Sequence, residues 1–354
     1  PSFTVTNTTP NPIVSNITVT PKFTLNGVEC FGTPQTFTIT VNPIPTVDAV
    51  NSFPMCDGTA TSAVNFSSSF GVANTVYSWA NSNTAIGLGL GSTGNIPSFV
   101  ATNAGNSPIS GIITVTPSAN ACNGNPMTFT ITVNPIPTVN SIASQVLCNN
   151  SSSAAINFSG TVSGTVYSWT NSNTAINLGN QGNTNIAVFT ATNTTNAPII
   201  GNFVVTPSYT NATGTCTGAT TTFSITVNPT PTVNTIQSQS VCVGSSTTAV
   251  GFASAFNVAG TTYLWTNSNT NIGLAASGTG DISSFIGTNT TSGPITGLIT
   301  VTPQITLGGH TCTGTPQTFN ITVNPIPTVQ DPANIVLCHN ESTSGVNFSG
   351  TVSN

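Results

Sequence analysis

The chain has 354 residues with a single Lys (Lys22), no Arg, six acids and two His, for a formal net charge of −5. It has no basic patch, which excludes the electrostatic footprint of a nucleic-acid binder or of a protein drawn to anionic lipid. No apolar run approaches the roughly 18–20 residues that span a bilayer, so membrane insertion is excluded too, and alternating half-buried strands account for the apolar content.

Residues 1–41 end in Thr-Phe-Thr-Ile-Thr-Val, and Asn42-Pro43-Ile44-Pro45 follows. The same run returns at Asn134, Asn228 and Asn324, at spacings of 92, 94 and 96 residues. Thr alternates with apolar residues through it, as in a strand with one face buried. The two prolines then stop the ladder, because neither can donate a backbone hydrogen bond. Each copy therefore reads as the last strand of one domain, a short stiff joint and the start of the next. The division is 1–41, the C-terminal part of a preceding repeat; 42–133, 134–227 and 228–323, three complete repeats; and 324–354, the N-terminal part of a following one. Domains of this size can bury a modest core of their own. The two end pieces together lack the segment matching 165–185, so the expectation is a window from a longer array.

Within the middle repeat, 138–147 is the first predicted strand, ending at Cys148. Strands are then expected at 155–158, 165–169, 175–178 (the weakest), 186–191, 203–206 and 222–227. Nothing has a helical period. About seven short strands with turn signals every ten residues or so predict an all-β fold, a tandem array of immunoglobulin-like (PKD-like) β-sandwiches joined by short Pro-containing linkers. Trp79, Trp169 and Trp265 follow Tyr77, Tyr167 and Tyr263 at the same place in successive repeats. One Trp at a fixed strand position, without partner aromatics in the loops, reads as a core residue packed beside a disulfide and not as a sugar platform.

Eight cysteines fall into two series, Cys30, Cys122, Cys216, Cys312 and Cys56, Cys148, Cys242, Cys338. Two per repeat in a Thr- and Asn-rich β protein point to disulfides and an oxidising, extracellular compartment. No Cys-x-x-Cys pairs suggest zinc. Two partnering schemes are open. Within a repeat the pairs are Cys56–Cys122, Cys148–Cys216 and Cys242–Cys312; across a joint they are Cys30–Cys56 and its equivalents, always 26 residues apart. The first is favoured, because Asn-Pro-Ile-Pro is a poor hairpin turn.

The runs Val-Leu-Cys-Asn-Asn (146–150), Thr-Val-Tyr-Ser-Trp-Thr-Asn (165–171) and Cys-Thr-Gly (216–218) with Thr-Phe-Ser-Ile-Thr-Val-Asn-Pro-Thr-Pro (222–231) resemble a known type. It is the PKD-like, immunoglobulin-like repeat of giant Bacteroidota cell-surface adhesins, the SprB-like gliding-motility type. The resemblance covers essentially the whole chain. It implies export by a type IX secretion route and a disulfide between the two cysteines of one repeat.

Catalysis is excluded by the middle repeat. Residues 134–227 contain no Asp, Glu, Lys, Arg or His, and acid–base or triad chemistry needs a positioned titratable group. The acids elsewhere (Glu29, Asp48, Asp57, Asp281, Asp331, Glu341) do not recur in register and read as solvated surface. Calcium at the joints lacks carboxylates, Lys–Asn isopeptide bonds lack Lys in the full repeats, and His310 and His339 have no counterparts, so no metal or cofactor is expected. The Thr-x-Thr spacing that could suggest ice binding follows from strand alternation, and Asn-x-Ser/Thr sequons are expected by chance in this composition. The resulting expectation is a structural stalk segment of a very large secreted surface adhesin or filament. Its partners would be neighbouring repeats, with surface polysaccharide or lateral self-association beyond them. The alternatives are a repeat-borne polysaccharide- or surface-binding module and the accessory stalk of a secreted enzyme.

Overall fold

The computed structural model describes residues 2–352; Pro1, Ser353 and Asn354, the outermost residues of the two end segments, lie outside it. Apart from three single-turn 3-10 helices, its regular elements are strands. The fold is a tandem array of immunoglobulin-like β-sandwiches. The same six-stranded sheet is built three times. In the first full repeat its order is the first strand (Phe53–Cys56), the last strand (Met127–Asn134), a long strand (Ile109–Ala119), the Trp strand (Val76–Asn81) and a short edge (Gly91–Thr93). A sixth piece, Cys122–Asn123, pairs with the end of the long strand. The middle repeat uses Gln145–Cys148, Thr221–Asn228, Ile199–Asn211, Val166–Asn171, Gln181–Gly182 and Gly214–Thr217 in the same order. The third uses Gln239–Cys242, Gln317–Asn324, Ile295–Leu307, Thr262–Asn267, Ser277–Thr279 and His310–Thr313. First and last strands are parallel, with Cys56 beside Asn134, Cys148 beside Asn228 and Cys242 beside Asn324. A parallel pair needs a long crossover, and here the crossover is the rest of the repeat.

A thinner layer faces each sheet. It consists of extended chain joined by isolated antiparallel bridges such as Val64–Ile96, Ile156–Ile186 and Val250–Ile282. Between the layers of the first repeat lie Trp79, Ile86, Ile96, Ile113, Val115, Phe129, Ile131 and Val133. The third repeat packs the matching set around Trp265, Ile272, Ile299 and Phe319. Alternation in the long strand puts Ile113 and Val115 fully inside and leaves Ile112 half exposed. Each such buried side chain contributes about 1.5–3 kcal/mol.

Several strands expected from the sequence differ in the structure. The first strand of the middle repeat begins only at Gln145. The stretches 155–158 and 186–191 are extended but form single bridges, not ladders. Residues 175–178 are not a strand, because Thr174–Ile176 is a 3-10 turn. The Asn173 side chain caps it by accepting from the Ala175 N–H, and Asn177 ends it in the left-handed region. All three tryptophans are 7% exposed, but none sits beside a disulfide. Trp169 instead packs on Phe203, with ring centroids 5.9 Å apart, and over Gly182, where a Cβ would lie 2.5 Å from the indole.

Buried polar groups are amides. Asn171 Nδ2 donates to the carbonyls of Asn173, Leu178 and Gly179 at 3.0–3.2 Å, while its Oδ1 accepts from the Asn173 N–H. Asn81 and Asn267 do the same work in the other repeats. A second series, Asn103, Asn193 and Asn289, ties a loop carbonyl to the carbonyl of the last strand's penultimate residue.

The ends differ. Residues 13–19 and 35–41 pair as a two-stranded sheet, and 22–25 with 28–31 as a hairpin. Phe37 is 51% exposed where its counterparts Phe129, Phe223 and Phe319 are 3–5% exposed. By internal contacts the chain forms two compact units. One is Pro1–Ser141 with Phe158–Ser168 and Val205–Thr221, and the other is Ile142–Asn157 with Trp169–Val204 and Thr222–Asn354.

Replacing Asn171 tests the amide wiring. Asn171→Asp keeps the acceptor but turns a carboxylate against three carbonyl oxygens. It is expected to cost more than the ~1–3 kcal/mol of Asn171→Ala at pH 7 in urea unfolding. Such a carboxyl has a folded pKa above its unfolded value of about 3.9, so the excess cost should vanish as pH falls below about 4 and the protonated acid can donate.

Candidate functional site at the repeat junctions

The long strand of each repeat overshoots its sheet. In the third repeat, Ile295–Val301 pairs with the last strand and Ile299–Gln304 with the Trp strand. Gln304–Leu307 then continues alone with His310–Thr313. In the middle repeat Ser208–Asn211 pairs likewise with Gly214–Thr217. The result is a two-stranded arm with a two-residue tip. Gly308 and Gly309, at φ 57° and 75°, and Asn120 and Ala121, at 49° and 61°, are both in the left-handed region, the backbone of the tight turn that matches hairpin twist. At the middle tip, Asn211 Oδ1 instead accepts from the Thr213 N–H, the Thr213 hydroxyl and the Gly214 N–H.

Each arm clasps the preceding repeat. Cys216 on the middle arm is bonded to Cys56, at the end of the first repeat's first strand, with Cα atoms 5.7 Å apart. Cys312 on the third arm is bonded to Cys148, at 5.5 Å. Beside the first crosslink, Asn211 Nδ2 donates to Asn134 Oδ1 at 2.8 Å, and Asn134 Nδ2 to the Thr213 hydroxyl at 3.2 Å. Beside the second, Asn228 Nδ2 donates to the Leu307 carbonyl at 3.1 Å, and Val258, Ile305, Phe256 and Leu307 pack with the cystine. The first full repeat's arm reaches the Asn42 joint in the same way, Asn42 Nδ2 donating to the Asn120 carbonyl at 3.0 Å. Cys30, Cys122, Cys242 and Cys338 are unpaired.

This corrects the pairing expected from the sequence: Cys56–Cys122, Cys148–Cys216 and Cys242–Cys312 do not form. Cys242 lies beside Asn324, at the end of the last strand, whereas Cys312 precedes that strand's start at Gln317. Eight residues of strand, roughly 26 Å, separate the two levels, far beyond the ~7 Å a disulfide spans. The two cysteines of one repeat stand at opposite ends of its sandwich. The cross-joint scheme fails as well, since Cys122 and Cys148 are not bonded to each other.

A glycine two residues after each arm cysteine lets the arm leave the sandwich at this place. A Cβ on Gly124, Gly218 or Gly314 would lie 1.8–1.9 Å from the carbonyl oxygen of the joint's second proline, Pro45, Pro137 or Pro231. Those prolines are buried, so the joints are packed chain and not loose linkers. The repeat motif marks the joint Asn but shows neither the arm tips nor the contacts that the Asn and these glycines make. The signals were a Cys-x-Gly at 30–32, 122–124, 216–218 and 312–314, and turn pairs such as Asn26-Gly27 and Gly308-Gly309 before the cysteine.

Three of the six carboxylates, Asp48, Asp57 and Asp281, stand where another repeat uses Asn. Asp48 accepts from the Ser69 N–H and hydroxyl and from Ser67, and the Ser69 bonds hold its carboxyl below the usual carboxylate value. Its counterpart Asn234 accepts from the Ala255 N–H. Asp57 receives the Asn103 N–H as Asn149 receives that of Asn193. Asp281 receives the Phe252 N–H as Asn95 receives that of Phe66. These three positions therefore recur in register as hydrogen-bond acceptors, whereas Glu29, Asp331 and Glu341 are exposed and have no Asn counterpart. Among the described residues no group of three His, Cys, Asp or Glu converges as a metal site, and no helix is long and apolar enough to cross a membrane. An open cleft of about 330 Å³ beside Asn289, Thr291, Pro325 and Val352 has no titratable lining residue.

No protein family and no curated protein matches the chain in sequence. Among solved structures it is similar to the human desmocollin-1 ectodomain, at 14% identity and a TM-score of 0.28 over 90% of this chain and 69% of the other. Mouse cadherin-23 EC22-24 gives 11% and 0.32 over 78% and 95%. Immunoglobulin domains 1–5 of Sidekick-1 give 11% and 0.28 over 92% and 78%. At such identities and scores these proteins lend the chain no ligand or partner.

Two outcomes are expected. Gly218→Ala should lower the unfolding midpoint by the equivalent of about 1–3 kcal/mol, while Gly293→Ala, in open space, should be neutral in the same urea titration. Asp48 has a depressed folded pKa, so its contribution is present above the unfolded value of about 3.9 and lost as pH falls through the folded one. Asp48→Asn should leave the melting temperature at pH 7 unchanged and flatten its fall in circular-dichroism melts below about pH 4.

Proposed function

We propose that the chain is a stalk segment of a large extracellular adhesion protein, in which tandem immunoglobulin-like repeats hold a binding region away from the cell. The observation that carries this reading is the pair of crosslinks tying one repeat to the next. A bond placed between domains does nothing to organise a pocket inside one, and it keeps neighbours together when either is strained. Disulfides of this kind persist in oxidising surroundings, which supports an extracellular location. The repeating unit offers no acid, base or nucleophile–base pair, since residues 134–227 carry no titratable side chain other than Cys and Tyr, which supports a non-enzymatic role. The loops at 87–94 and 177–184 contain no aromatic or charged residue, which favours a stalk over a sugar-binding module.

The finer reading is a repeat stretch of a Bacteroidota surface adhesin of the gliding-motility type, exported by a type IX route. It rests on the resemblance of the Cys, Trp and Asn-Pro-x-Pro runs. Domain boundaries at 42, 134, 228 and 324 follow the same repeat, with 1–41 and 324–354 assigned to further repeats. Two features support that assignment. Phe37 lacks the cover its counterparts have, and Cys122 and Cys242 occupy arm and first-strand clasp positions without partners.

Intact-mass measurement and disulfide mapping of the protein from its native source, under non-reducing conditions, test the proposal. The expected result is a secreted species well above 35.8 kDa. Peptides Cys56–Cys216 and Cys148–Cys312 should be linked, with Cys122 and Cys242 each bonded to a cysteine outside residues 1–354. A protein retained in the cytoplasm with all eight thiols reduced would refute it.

A further inference from the structure

We infer that the two crosslinks make the stretch from Cys56 to Cys312 a covalent ladder, which survives any single break in its backbone and limits how far it can be stretched. The inference rests on the connectivity of the disulfides and not on the adhesion reading. The loop closed by Cys56–Cys216 contains Cys148, and the loop closed by Cys148–Cys312 contains Cys216. The loops overlap instead of following one another.

Overlap adds three crosslinked routes between Cys56 and Cys312 to the backbone itself. One follows the backbone from 56 to 148 and crosses to 312. Another crosses from 56 to 216 and follows the backbone to 312. The third crosses to 216, runs backwards to 148 and crosses again. A cut anywhere between 57 and 147, between 149 and 215, or between 217 and 311 leaves at least one route intact. Within-repeat disulfides would not do this, because a cut between Cys122 and Cys148, at the joint, would then sever the chain. The crossed pattern protects joints and domain loops alike.

Overlap also shortens the chain under load. The backbone from Cys56 to Cys312 could be drawn out to ~900 Å at about 3.5 Å per residue. With both crosslinks in place the taut route is the 68-residue stretch between Cys148 and Cys216, roughly 240 Å long. Unfolded repeats therefore cannot pay out their full length, and a domain that opens stays close to its folded neighbours. An extracellular tether meets both hazards, proteolytic nicking and pulling.

The test places a site-specific protease sequence after Leu90, which is 74% exposed, in the oxidised full chain. After cleavage, a single full-mass band on a non-reducing denaturing gel and two fragments on reduction are expected. Cleaved Cys56→Ser should fall into two fragments without reductant, while the same variant cut in the loop after Gly179 should stay whole through Cys148–Cys312. Release of fragments from the cut, unreduced parent chain would overturn the inference. Should Cys56→Ser fail to fold, optical-trap stretching of the unmodified chain decides. Full extension should grow by ~650 Å when the disulfides are reduced, and equal lengths in the two states would overturn the ladder.

Discussion

A sandwich that buries loop carbonyls without charged side chains leaves the carboxamide of Asn as the chief group able to donate twice and accept at one position. The structure depends on that use of Asn. Asn171 collects three carbonyls that the 3-10 turn would otherwise strand, and Asn193 collects the carbonyls of Ala197 and Val227. Orphaned acceptors inside a protein are costly, so the turn between Trp strand and edge strand forms only where this amide is present. Glycine follows from it. A Cβ on Gly201 would lie 2.7 Å from Asn171 Oδ1, and on Gly297 2.5 Å from Asn267 Oδ1. The buried amide thus dictates a small residue across the sheet, in the long strand that also forms the arm.

Much of this was readable in the residues. Period-2 alternation through Phe129, Ile131 and Val133 located the last strand, and the Tyr-x-Trp run located the central one. The second layer was less legible, because Ile156 and Ile186 show strand periodicity yet meet in one bridge instead of a ladder. At 175–178 the apolar Ala-Ile imitates a strand, while the deciding signal lies in the flanking Asn173 and Asn177, one capping by its side chain and the other adopting positive φ. Trp169 donates to the Thr184 carbonyl at 2.9 Å, whereas Trp79 and Trp265 find no acceptor. The matching residues there are Gly94 and Gly280, at φ 81° and 71°, which aim the backbone elsewhere. Composition alone does not expose that difference.

The cysteine partners were the least legible, for a geometric reason. Equal spacing within each series fixes the repeat but not the level of each cysteine along the sandwich. That level follows from the parallel pairing of first and last strands, a long-range fact, and from the arm, which carries its cysteine beyond its own sheet. Once both are known, the within-repeat partner is out of reach and the preceding repeat's first-strand cysteine is at hand.

The junction then follows from the same chemistry as the core. Where ions often stiffen joints between extracellular domains, Asn134 and Asn228, each 1% exposed, engage the incoming arm through neutral hydrogen bonds. The disulfide makes that contact permanent. Neutral bonds are little affected by ionic strength, and a cystine is indifferent to chelators, so the junction's integrity is set by redox state. The glycine after each arm cysteine and the buried joint prolines bring the arm's base against its own repeat's start. The arm is thus fixed near its base by packing and the cystine, and at its tip by the hydrogen bonds of Asn134 or Asn228. A chain nearly devoid of charge in this way couples its repeats through amides and cystines, and the Asn-rich composition that seemed featureless in sequence is what makes the coupling work.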